Sequence, residues 1–287
     1  MVRNKVIRVL ILGAKGQLGR DLMAEFGGDG VVTGLDLPEL DIAEPSQVSA
    51  ACAESRPELV INAAAYTDVE GAEDHAEDAF RVNEVGAGIV AQAAAELGIP
   101  VVYYSTDFVF RGDATRPYEP EDTVSPRGLY AKSKAMGEIA TAERNAQHYI
   151  IRTAWLYGPG GRNFVEKILR TAATRPSFRV VTDEIGSPTH TFDLAEATWT
   201  LAGTGAYGTY HAVNAGACSR FEMAQKILAI AGITTPVEPC LAEEFPSKAP
   251  RPHYSVLSNA KLEKATGQRM RPWEQALEHY MERRKTI

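Results

Sequence analysis

Short apolar runs alternate with longer amphipathic stretches over about the first 155 residues of the chain. The apolar runs have the length and composition of strands, so we predict strands at Val6–Leu12, Val31–Leu35, Leu59–Asn62, Pro100–Ser105 and Tyr149–Trp155. The stretches between them predict helices at Gln17–Phe26, Pro45–Ser55, Glu73–Leu97 and Gly128–Arg144. Apolar strands that alternate with helices are typical of a parallel sheet covered on both faces.

The pattern changes after Trp155. The segment WLYGPGGRN is rich in glycine, and the elements that follow are shorter and separated by prolines. We therefore predict an α/β fold, with a Rossmann-type doubly wound parallel sheet and a smaller C-terminal α/β substrate lobe. The dinucleotide-binding domain is assigned to residues 1–157 and the mainly substrate-binding lobe to 158–287, with a strand near 209–214 that returns to the first sheet.

Composition and charge place the chain among ordinary globular proteins. Of its 287 residues, 45% are hydrophobic and 23% charged, which excludes disordered, collagen-like and coiled-coil classes. The net charge of −7 offers no broad positive surface to a nucleic acid or an anionic membrane. No apolar stretch approaches the roughly 20 residues of a membrane helix, and the N-terminal run leads into glycines rather than into a signal-peptide cleavage site. We expect a cytoplasmic protein.

A glycine-rich segment, RVLILGAKGQLG, places Gly13, Gly16 and Gly19 between the first predicted strand and a helix that begins near Gln17. In this position the first glycine permits a tight turn, the second lets the backbone approach a pyrophosphate, and the third lets helix pack on strand. The helix N-terminus then faces the phosphates with its N–H groups. The G-x-x-G-x-x-G spacing is the variant found in short-chain and extended short-chain dehydrogenases.

Asp36 strengthens the dinucleotide hypothesis. It lies 23 residues after Gly13, at the end of the second apolar run, where a carboxylate accepts hydrogen bonds from the adenosine ribose and repels a 2′-phosphate. This position favours NAD over NADP; the alternative is a turn or helix-capping residue. Small side chains in NAAA, residues 62–65, leave room for a cofactor at the end of the third strand.

The segment LYAKSK sets Tyr130 and Lys134 four residues apart, on one face of a predicted helix. A free phenol has a pKa near ~10 and exchanges protons poorly at neutral pH unless a cation stabilises its anion. Lys134 can supply that cation and can also bind the nicotinamide ribose. The motif is short, so its position, one strand and one loop after VVYYSTDFVF, carries the argument.

Two hydroxyl groups end the strand of that segment. Thr106 is the better candidate to hydrogen-bond a substrate carbonyl beside Tyr130, and Ser105 the better candidate to face the cofactor. A strand-end cap is the alternative for either residue. Asn83 lies inside the long alanine-rich helix, where a structural role is favoured over a proton relay.

Several motifs together carry a resemblance that covers nearly the whole chain: GAKGQLGRDL, DLPELDI, NAAAYTDVEGAE, VNEVGAG, STDFVF, YAKSKAMGE, RTAWLYGPGGRNFV, GSPTHTFDLA and APRPHYSVL. With them the chain resembles the dTDP-4-dehydrorhamnose reductases, a family of extended short-chain dehydrogenases/reductases. The resemblance implies reduction of the 4-keto group of dTDP-4-dehydro-6-deoxy-L-mannose by NADPH or NADH, giving dTDP-L-rhamnose for cell-surface polysaccharide.

The resemblance also implies a set of site residues. The catalytic residues fall on Thr106, Tyr130 and Lys134, and Tyr130 is assigned to cofactor binding as well. The dinucleotide contacts fall on Gly13, Gln17, Leu18, Gly19, Asp41, Ile42, Ala63, Ala64, Tyr66, Ser105 and Lys134, with Asp41 and Ile42 at the adenine. The substrate contacts are assigned to Thr106, Asp107, Tyr130, Trp155 and Arg251.

Two of these substrate residues have plain alternatives. Without the resemblance, Trp155 is interpreted as a core aromatic residue at a strand end. The resemblance implies that it packs on the deoxysugar. Arg251, in the proline-flanked APRP, is a candidate for the nucleotide diphosphate because a guanidinium makes paired hydrogen bonds to phosphate oxygens. A solvated loop charge is the alternative.

The chain departs from the family pattern at two places. Phe108 stands where the family usually has a tyrosine, so a contact from that hydroxyl is lost. Some members bind magnesium at a dimer interface through acidic residues; one such position falls on Asp21, but another falls on Phe192, which cannot ligate a hard cation. We therefore predict no metal site, and either a monomer or a homodimer.

Two other functions remain open at this stage. A nucleotide-sugar dehydratase or epimerase has the same fold, but a dehydratase carries Asp-Glu after the threonine, and here Asp107 and Phe108 follow Thr106. The chain also resembles the non-catalytic regulatory subunit of methionine adenosyltransferase. The intact Thr106, Tyr130 and Lys134 set favours an enzyme.

Overall fold

The computed structural model describes residues 7–28, 30–245 and 247–284. Its strands are β1 Arg8–Leu12, β2 Val31–Leu35, β3 Leu59–Asn62, β4 Val101–Thr106, β5 His148–Thr153, β6 Leu156–Tyr157, β7 Phe178–Val181, β8 Ile185–Gly186, β9 Thr189–His190, β10 Gly208–His211, β11 Cys218–Ser219 and β12 Val237–Cys240. Its α-helices are α1 Gln17–Gly27, α2 Pro45–Ser55, α3 Ala76–Phe80, α4 Ala87–Glu96, α5 Leu129–Arg144, α6 Phe164–Thr174, α7 Thr191–Ala202, α8 Arg220–Ala231, α9 Ala260–Thr266 and α10 Trp273–Arg283.

The main sheet has six strands in the order β10-β5-β4-β3-β1-β2, and every pairing in it is parallel. The strand order reverses between β1 and β3, because the chain moves to one side of β1 to form β2 and to the other side to form β3. In open α/β sheets, ligands bind in the crevice at the carboxyl ends of the strands beside such a reversal. This edge is therefore where a functional site is expected.

Both faces of the sheet are covered by helices. Alternate residues of β1 divide between the faces: Val9 and Ile11 pack with α1 and α7, while Leu10 and Leu12 pack with α2 and α4. All four side chains are buried, and burying each stabilises the fold by roughly 1.5–3 kcal/mol. A strand buried on both faces has no polar side to show, which explains its continuous apolar sequence.

Many of the residues after β6 form a smaller region with its own core, whereas β10 pairs with β5 in the main sheet and α7 and α9 pack into the main core. Its strands pair two by two, as β6 with β9, β7 with β12 and β8 with β11. Helices α6, α8 and α10 close the core around Val165, Ile168, Ile227 and Leu277. Across the described ranges, no helix combines the length and apolar character that crossing a membrane would need.

The predicted fold class is confirmed, and the predicted elements Val31–Leu35, Pro45–Ser55 and Leu59–Asn62 have the bounds that the structure shows. The first predicted strand starts at Val6, which lies outside the described residues. The fifth stops at Thr153 rather than Trp155, because Trp155 adopts a left-handed backbone with φ of 49°.

The single helix predicted at Glu73–Leu97 is wrong. It is divided into a 3-10 turn at Gly71–Glu73, α3, a π-helical segment at Arg81–Gly86, and α4. Asn83 lies in the π segment, where its carbonyl accepts a hydrogen bond from the Tyr103 hydroxyl at 3.1 Å. Such widened turns are frequent at functional sites, and apolar periodicity does not reveal them.

Candidate active site

The glycine loop joins β1 to α1 at the strand-order reversal. Gly13 has a φ of 81°, and a Cβ there would come within 2.5 Å of the Ala64 backbone nitrogen. A Cβ at Gly19 would collide with the carbonyl of Gly13. Gly16 precedes the first residue of α1, and no side chain caps the helix. The first-turn N–H groups are thus a site for an anion such as a pyrophosphate, and the loop fits a dinucleotide.

Asp36 follows β2 at the same edge of the sheet. Its carboxylate accepts hydrogen bonds from the backbone nitrogens of Lys15 and Leu37, both at 2.8 Å. The Lys15 ammonium turns to the Glu39 carboxylate at 2.6 Å. Two backbone donors hold the Asp36 carboxylate beside the glycine loop, with lone pairs remaining for a ribose diol.

The residues expected at the adenine follow directly. Asp41 accepts from the Ala43 nitrogen at 2.9 Å and from Arg81 Nη2 at 2.8 Å. Ile42 is buried and packs against Gly86, where a Cβ would lie 2.8 Å from the isoleucine side chain. These contacts fix the segment after β2 against the π-helical segment.

The end of β3 supplies the opposite wall of the crevice. Ala63 donates its N–H to Leu12 at 2.9 Å, and Ala64 donates to the Asn62 side chain at 3.2 Å. The Tyr66 backbone is held at both ends by Asn83, which accepts from its N–H at 2.9 Å and donates to its carbonyl at 3.0 Å. Asn83 therefore fixes the turn after β3.

Helix α5 carries Tyr130 and Lys134 to the carboxyl-terminal part of β4. Its start is held by Glu73, which accepts from the Leu129 nitrogen at 2.7 Å. Lys134 is buried, donates to the Tyr104 carbonyl at 2.6 Å, and lies 4.2 Å from the centroid of the Tyr103 ring. Burial lowers the pKa of Lys134 to about 7, against the opposing effect of the Glu138 carboxylate.

The Tyr130 ring is half-buried and meets Phe108 edge to face, with ring centroids 6.1 Å apart. Burial raises the pKa of Tyr130, the negative charge of Asp107 raises it further, and the Thr106 hydroxyl opposes both. Tyr130 therefore stays protonated across the neutral range. Phe108 supplies an apolar contact to this phenol.

Thr106 ends β4 beside the phenol. Its hydroxyl donates to Asp107 Oδ1 at 3.0 Å and accepts from the Phe108 nitrogen at 3.2 Å. Burial raises the pKa of Asp107 to about 6, while Ser255, Thr106 and Arg220 act to lower it. Asp107 Oδ2 makes no hydrogen bond of normal geometry among the described atoms, and neither does the Ser255 hydroxyl beside it.

Unpartnered buried polar atoms mark this edge of the sheet. Within the described structure, Ser105 Oγ and Asn62 Nδ2 have no hydrogen-bond partner, although both residues are buried. Such atoms cost free energy unless a ligand or water satisfies them. The crevice thus combines a phenol, an ammonium, a hydroxyl and an anion-binding helix end, the groups that a nicotinamide-dependent carbonyl reductase uses.

Comparison with known proteins agrees with this geometry. The family model for the RmlD substrate binding domain matches residues 7–286. The chain belongs to the dTDP-4-dehydrorhamnose reductase (RmlD) family. It is 40% identical over 280 residues to the spore coat polysaccharide biosynthesis protein SpsK of Bacillus subtilis, covering 97% of this chain and 98% of that protein.

Two further family relatives match at similar levels. A dTDP-4-dehydrorhamnose reductase of Mycobacterium tuberculosis is 40% identical over 278 residues, which cover 94% of this chain and 91% of the relative. The solved structure of the Bacillus anthracis dTDP-4-dehydrorhamnose reductase in complex with NADP is 39% identical and has a TM-score of 0.94, covering 97% of this chain and all of that one.

Within this RmlD family chain, Trp155 and an arginine that the sequence did not single out form one cluster. The Arg220 guanidinium carbon lies 3.4 Å from the Trp155 ring centroid and 5.1 Å from that of Phe164. Gly186 packs on the indole, since a Cβ there would lie 2.5 Å from Trp155 Cε2. Burial lowers the pKa of Arg220 to about 10, while Glu184 and then Asp107 act to raise it.

Arg251 is exposed and contacts the segment that follows β3. Its Nη2 donates to Glu70 Oε1 at 2.9 Å, and Glu70 also accepts from the Ser247 hydroxyl at 2.5 Å and from the Lys248 nitrogen at 2.9 Å. These hydrogen bonds, together with that arginine, hold the pKa of Glu70 at about 2 although burial acts to raise it. The arginine that was expected to bind the diphosphate is thus engaged with a carboxylate of the segment that follows β3.

The magnesium positions of some family members do not fit a metal here. Asp21 accepts from the Thr191 hydroxyl at 2.6 Å and from Arg283 Nη2 at 3.3 Å. The Phe192 ring centroid lies 4.8 Å from the Arg283 guanidinium carbon. In the part of the chain that the structure describes, no three His, Cys, Asp or Glu side chains are placed to hold a metal ion.

Proposed function

We propose that the chain reduces the 4-keto group of dTDP-4-dehydro-6-deoxy-L-mannose, with NADH or NADPH as reductant, and releases dTDP-L-rhamnose for polysaccharide synthesis. One observation carries the proposal: Lys134 contacts β4, Tyr130 lies beside the Thr106 hydroxyl that ends this strand, and the glycine loop lies at the same edge of the sheet, in a chain of the dTDP-4-dehydrorhamnose reductase family. Residues 1–157 are proposed to bind the dinucleotide, and residues 158–287 mainly the sugar nucleotide.

The cofactor is proposed to lie along the crevice. Its pyrophosphate is assigned to the glycine loop and the start of α1 (Gly13, Gly16, Gln17, Leu18 and Gly19), and its ribose and adenine to Asp36, Asp41 and Ile42. Ala63, Ala64, Tyr66 and Ser105 are assigned to the other wall. When bound, the reduced nicotinamide supplies the hydride that goes to the ketone carbon of the sugar.

Tyr130 is the proposed proton donor. As the ketone carbon gains a hydride, its oxygen becomes an alkoxide, and the Tyr130 hydroxyl delivers the proton that completes the alcohol. The raised pKa keeps the phenol protonated before the step. Asp107, whose charge contributes to that rise, therefore helps to hold Tyr130 in the acid form that a reduction needs.

Lys134 and Thr106 position and stabilise the reacting groups. The ammonium donates one hydrogen to the Tyr104 carbonyl, and its remaining N–H groups are assigned to the nicotinamide ribose and the phenolate that forms. The Thr106 hydroxyl is assigned to the substrate oxygen. It now donates to Asp107, so donation to substrate requires this hydroxyl to reorient or Asp107 to take up a proton.

The sugar nucleotide is proposed to pack its deoxysugar on Trp155, with Asp107 nearby and Arg251 at the diphosphate. In this proposal the diphosphate displaces Glu70 from Arg251, exchanging a carboxylate for a phosphate that makes paired hydrogen bonds. A cytoplasmic location, where reduced nicotinamide cofactors are available, is part of the proposal.

A direct assay tests the function. Purified protein is mixed with dTDP-4-dehydrorhamnose and either NADH or NADPH; loss of absorbance at the reduced cofactor band is followed, and the product is identified by mass and NMR. We expect cofactor oxidation with equimolar dTDP-L-rhamnose. Binding of both ligands without oxidation would instead support a regulatory module, and a C3 or C5 epimer of the 4-keto sugar formed without net oxidation would support an epimerase.

A further inference from the structure

Two cationic side chains at the adenosine end of the crevice, Lys15 and Arg81, are paired with carboxylates, and a third, Arg20, donates to the Lys15 backbone carbonyl at 3.0 Å. The Lys15 side chain leaves the glycine loop and donates to Glu39 Oε2 at 2.6 Å and to the Leu37 carbonyl at 3.1 Å. Arg81 is paired with Asp41 at 2.8 Å. Among the described contacts, these ion pairs leave the Asp36 carboxylate without a cationic side chain of its own.

Lys15 is nevertheless within reach of the ribose position. Its backbone nitrogen is 2.8 Å from Asp36 Oδ2, and an extended lysine side chain spans several ångströms. Both Lys15 and Glu39 are more than half exposed, with 56% and 54% of their side-chain surfaces open to solvent. An exposed pair of this kind is worth only about 0–1 kcal/mol, so a stronger anion can compete for the ammonium.

NADH and NADPH differ at this point of the crevice. NADH presents a 2′,3′-diol, which Asp36 can accept from, whereas NADPH presents a 2′-phosphate with a charge of about −1.5 to −2 at neutral pH. The phosphate meets two carboxylates, Asp36 and Glu39, and one ammonium that Glu39 already neutralises. The local balance of charge therefore opposes NADPH.

We propose that Glu39 makes the chain prefer NADH to NADPH, because it holds the Lys15 ammonium away from the adenosine 2′ position. The inference rests on the proposed function only in that a nicotinamide cofactor binds here. Removing the Glu39 charge releases Lys15 to a 2′-phosphate and should leave the diol contact of Asp36 unchanged. Lys15 and Glu39 are thus specificity-determining residues.

Cofactor affinity measured without substrate tests the proposal. Dissociation constants for NADH and NADPH are determined by titration calorimetry for the wild-type chain, Glu39→Gln, Lys15→Met and the double variant. We expect the wild type to bind NADH at least about tenfold more tightly than NADPH. Glu39→Gln should tighten NADPH about three- to fivefold, the most that releasing an ammonium from an exposed pair allows. It should change NADH less than twofold, and the added Lys15→Met should cancel the NADPH gain.

A matched control separates this effect from a change in net charge. Glu121 pairs with Lys261 at 2.8 Å on an exposed surface remote from the glycine loop, so Glu121→Gln removes the same charge and should leave both affinities unchanged. A wild type that binds NADPH as tightly as NADH, or a Glu39→Gln gain that survives Lys15→Met, overturns the proposal. Failure of both cofactors to bind overturns the proposed function as well.

Discussion

Helix α5 carries two buried charges one turn apart, and their surroundings differ. Glu138 accepts two hydrogen bonds from Arg152 of β5, at 2.9 and 2.7 Å, and Arg152 also donates to the Pro120 carbonyl at 3.0 Å. Lys134 has a single backbone carbonyl as its hydrogen-bond acceptor and no carboxylate within ion-pair distance among the described residues. The first arrangement satisfies the charges; the second leaves the ammonium partly unsatisfied.

The difference separates a structural charge from a functional one. A buried ion pair with complete hydrogen bonding holds two elements in register, here α5 against β5. A buried cation with few partners costs stability, and its lowered pKa and remaining donors are what a proton-transfer site requires. Asp193 is a second charge of the satisfied kind: it is paired with Arg271 and accepts a hydrogen bond from Asn214 at 2.6 Å, away from the proposed reaction site.

Breaking the satisfied pair should have the largest effect on stability. Arg152→Met leaves the buried Glu138 carboxylate without its partner, so we expect a loss of about 3–5 kcal/mol in the free energy of unfolding, measured in urea. The double variant Arg152→Met with Glu138→Gln removes the stranded charge and should recover part of that loss. A single-variant loss below about 1 kcal/mol would show that the pair does not anchor α5.

Removing the unsatisfied charge of Lys134 should instead increase the free energy of unfolding. The pKa of Lys134 is about 7 in the fold and 10.5 when free, so the folded state releases its proton first. Burying the charged lysine therefore destabilises the fold by its largest amount below pH 7, and this destabilisation disappears as the pH rises from about 7 to 10.5. We expect Lys134→Met to raise unfolding free energy by about 1–3 kcal/mol at pH 6, since the lost hydrogen bond offsets part of the gain.

The pH dependence of that difference is the check. Unfolding free energies of the wild type and Lys134→Met, measured at pH 6 and near pH 10, should converge at the higher pH. The variant should also lose turnover. A variant that is less stable than the wild type at pH 6 would contradict the contrast between the two charges.

Asp107 offers a smaller test of the same idea. Its pKa is about 6 in the fold and 3.8 when free, so the folded state binds the proton more tightly. The contribution of Asp107 to the stability of the fold is therefore largest below about pH 4, and it is lost as the pH rises through 6. Asp107→Asn cannot ionise, so its stability relative to the wild type should increase by about 1–2 kcal/mol between pH 4 and pH 7, measured by urea unfolding. If the stability difference between Asp107→Asn and the wild type were the same at pH 4 and pH 7, Asp107 would have the same pKa in the folded and unfolded states.

Much of the main sheet could be predicted from the sequence, because strands buried on both faces are continuously apolar and the helices between them are amphipathic. The smaller region could not. Four of its strands, β6, β8, β9 and β11, have two residues each, which is too short for any periodicity. The split of the helix predicted at Glu73–Leu97 was also hidden, since Asn83 is one polar residue in an alanine-rich stretch.

Part of the candidate site could likewise be predicted from the sequence, and part could not. Glycine spacing and the Tyr130–Lys134 pair are local in sequence, so they could be found before the fold was known. The stacking of Arg220 on Trp155 joins residues 65 positions apart in sequence, and the hold of Glu70 on Arg251 joins residues 181 positions apart. Contacts of this kind depend on how the two regions pack, which no local pattern records.

The most direct test of the account is single-turnover hydride transfer by Tyr130→Phe, with cofactor affinity measured on the same preparation. We predict a rate lowered by about 10²–10⁴ with NADH affinity within twofold of the wild type, because only the proton donor is lost. Tyr207→Phe, at an exposed tyrosine away from the crevice, is the matched control and should keep full activity. A Tyr130→Phe variant that reduces the sugar at the wild-type rate would contradict the central claim.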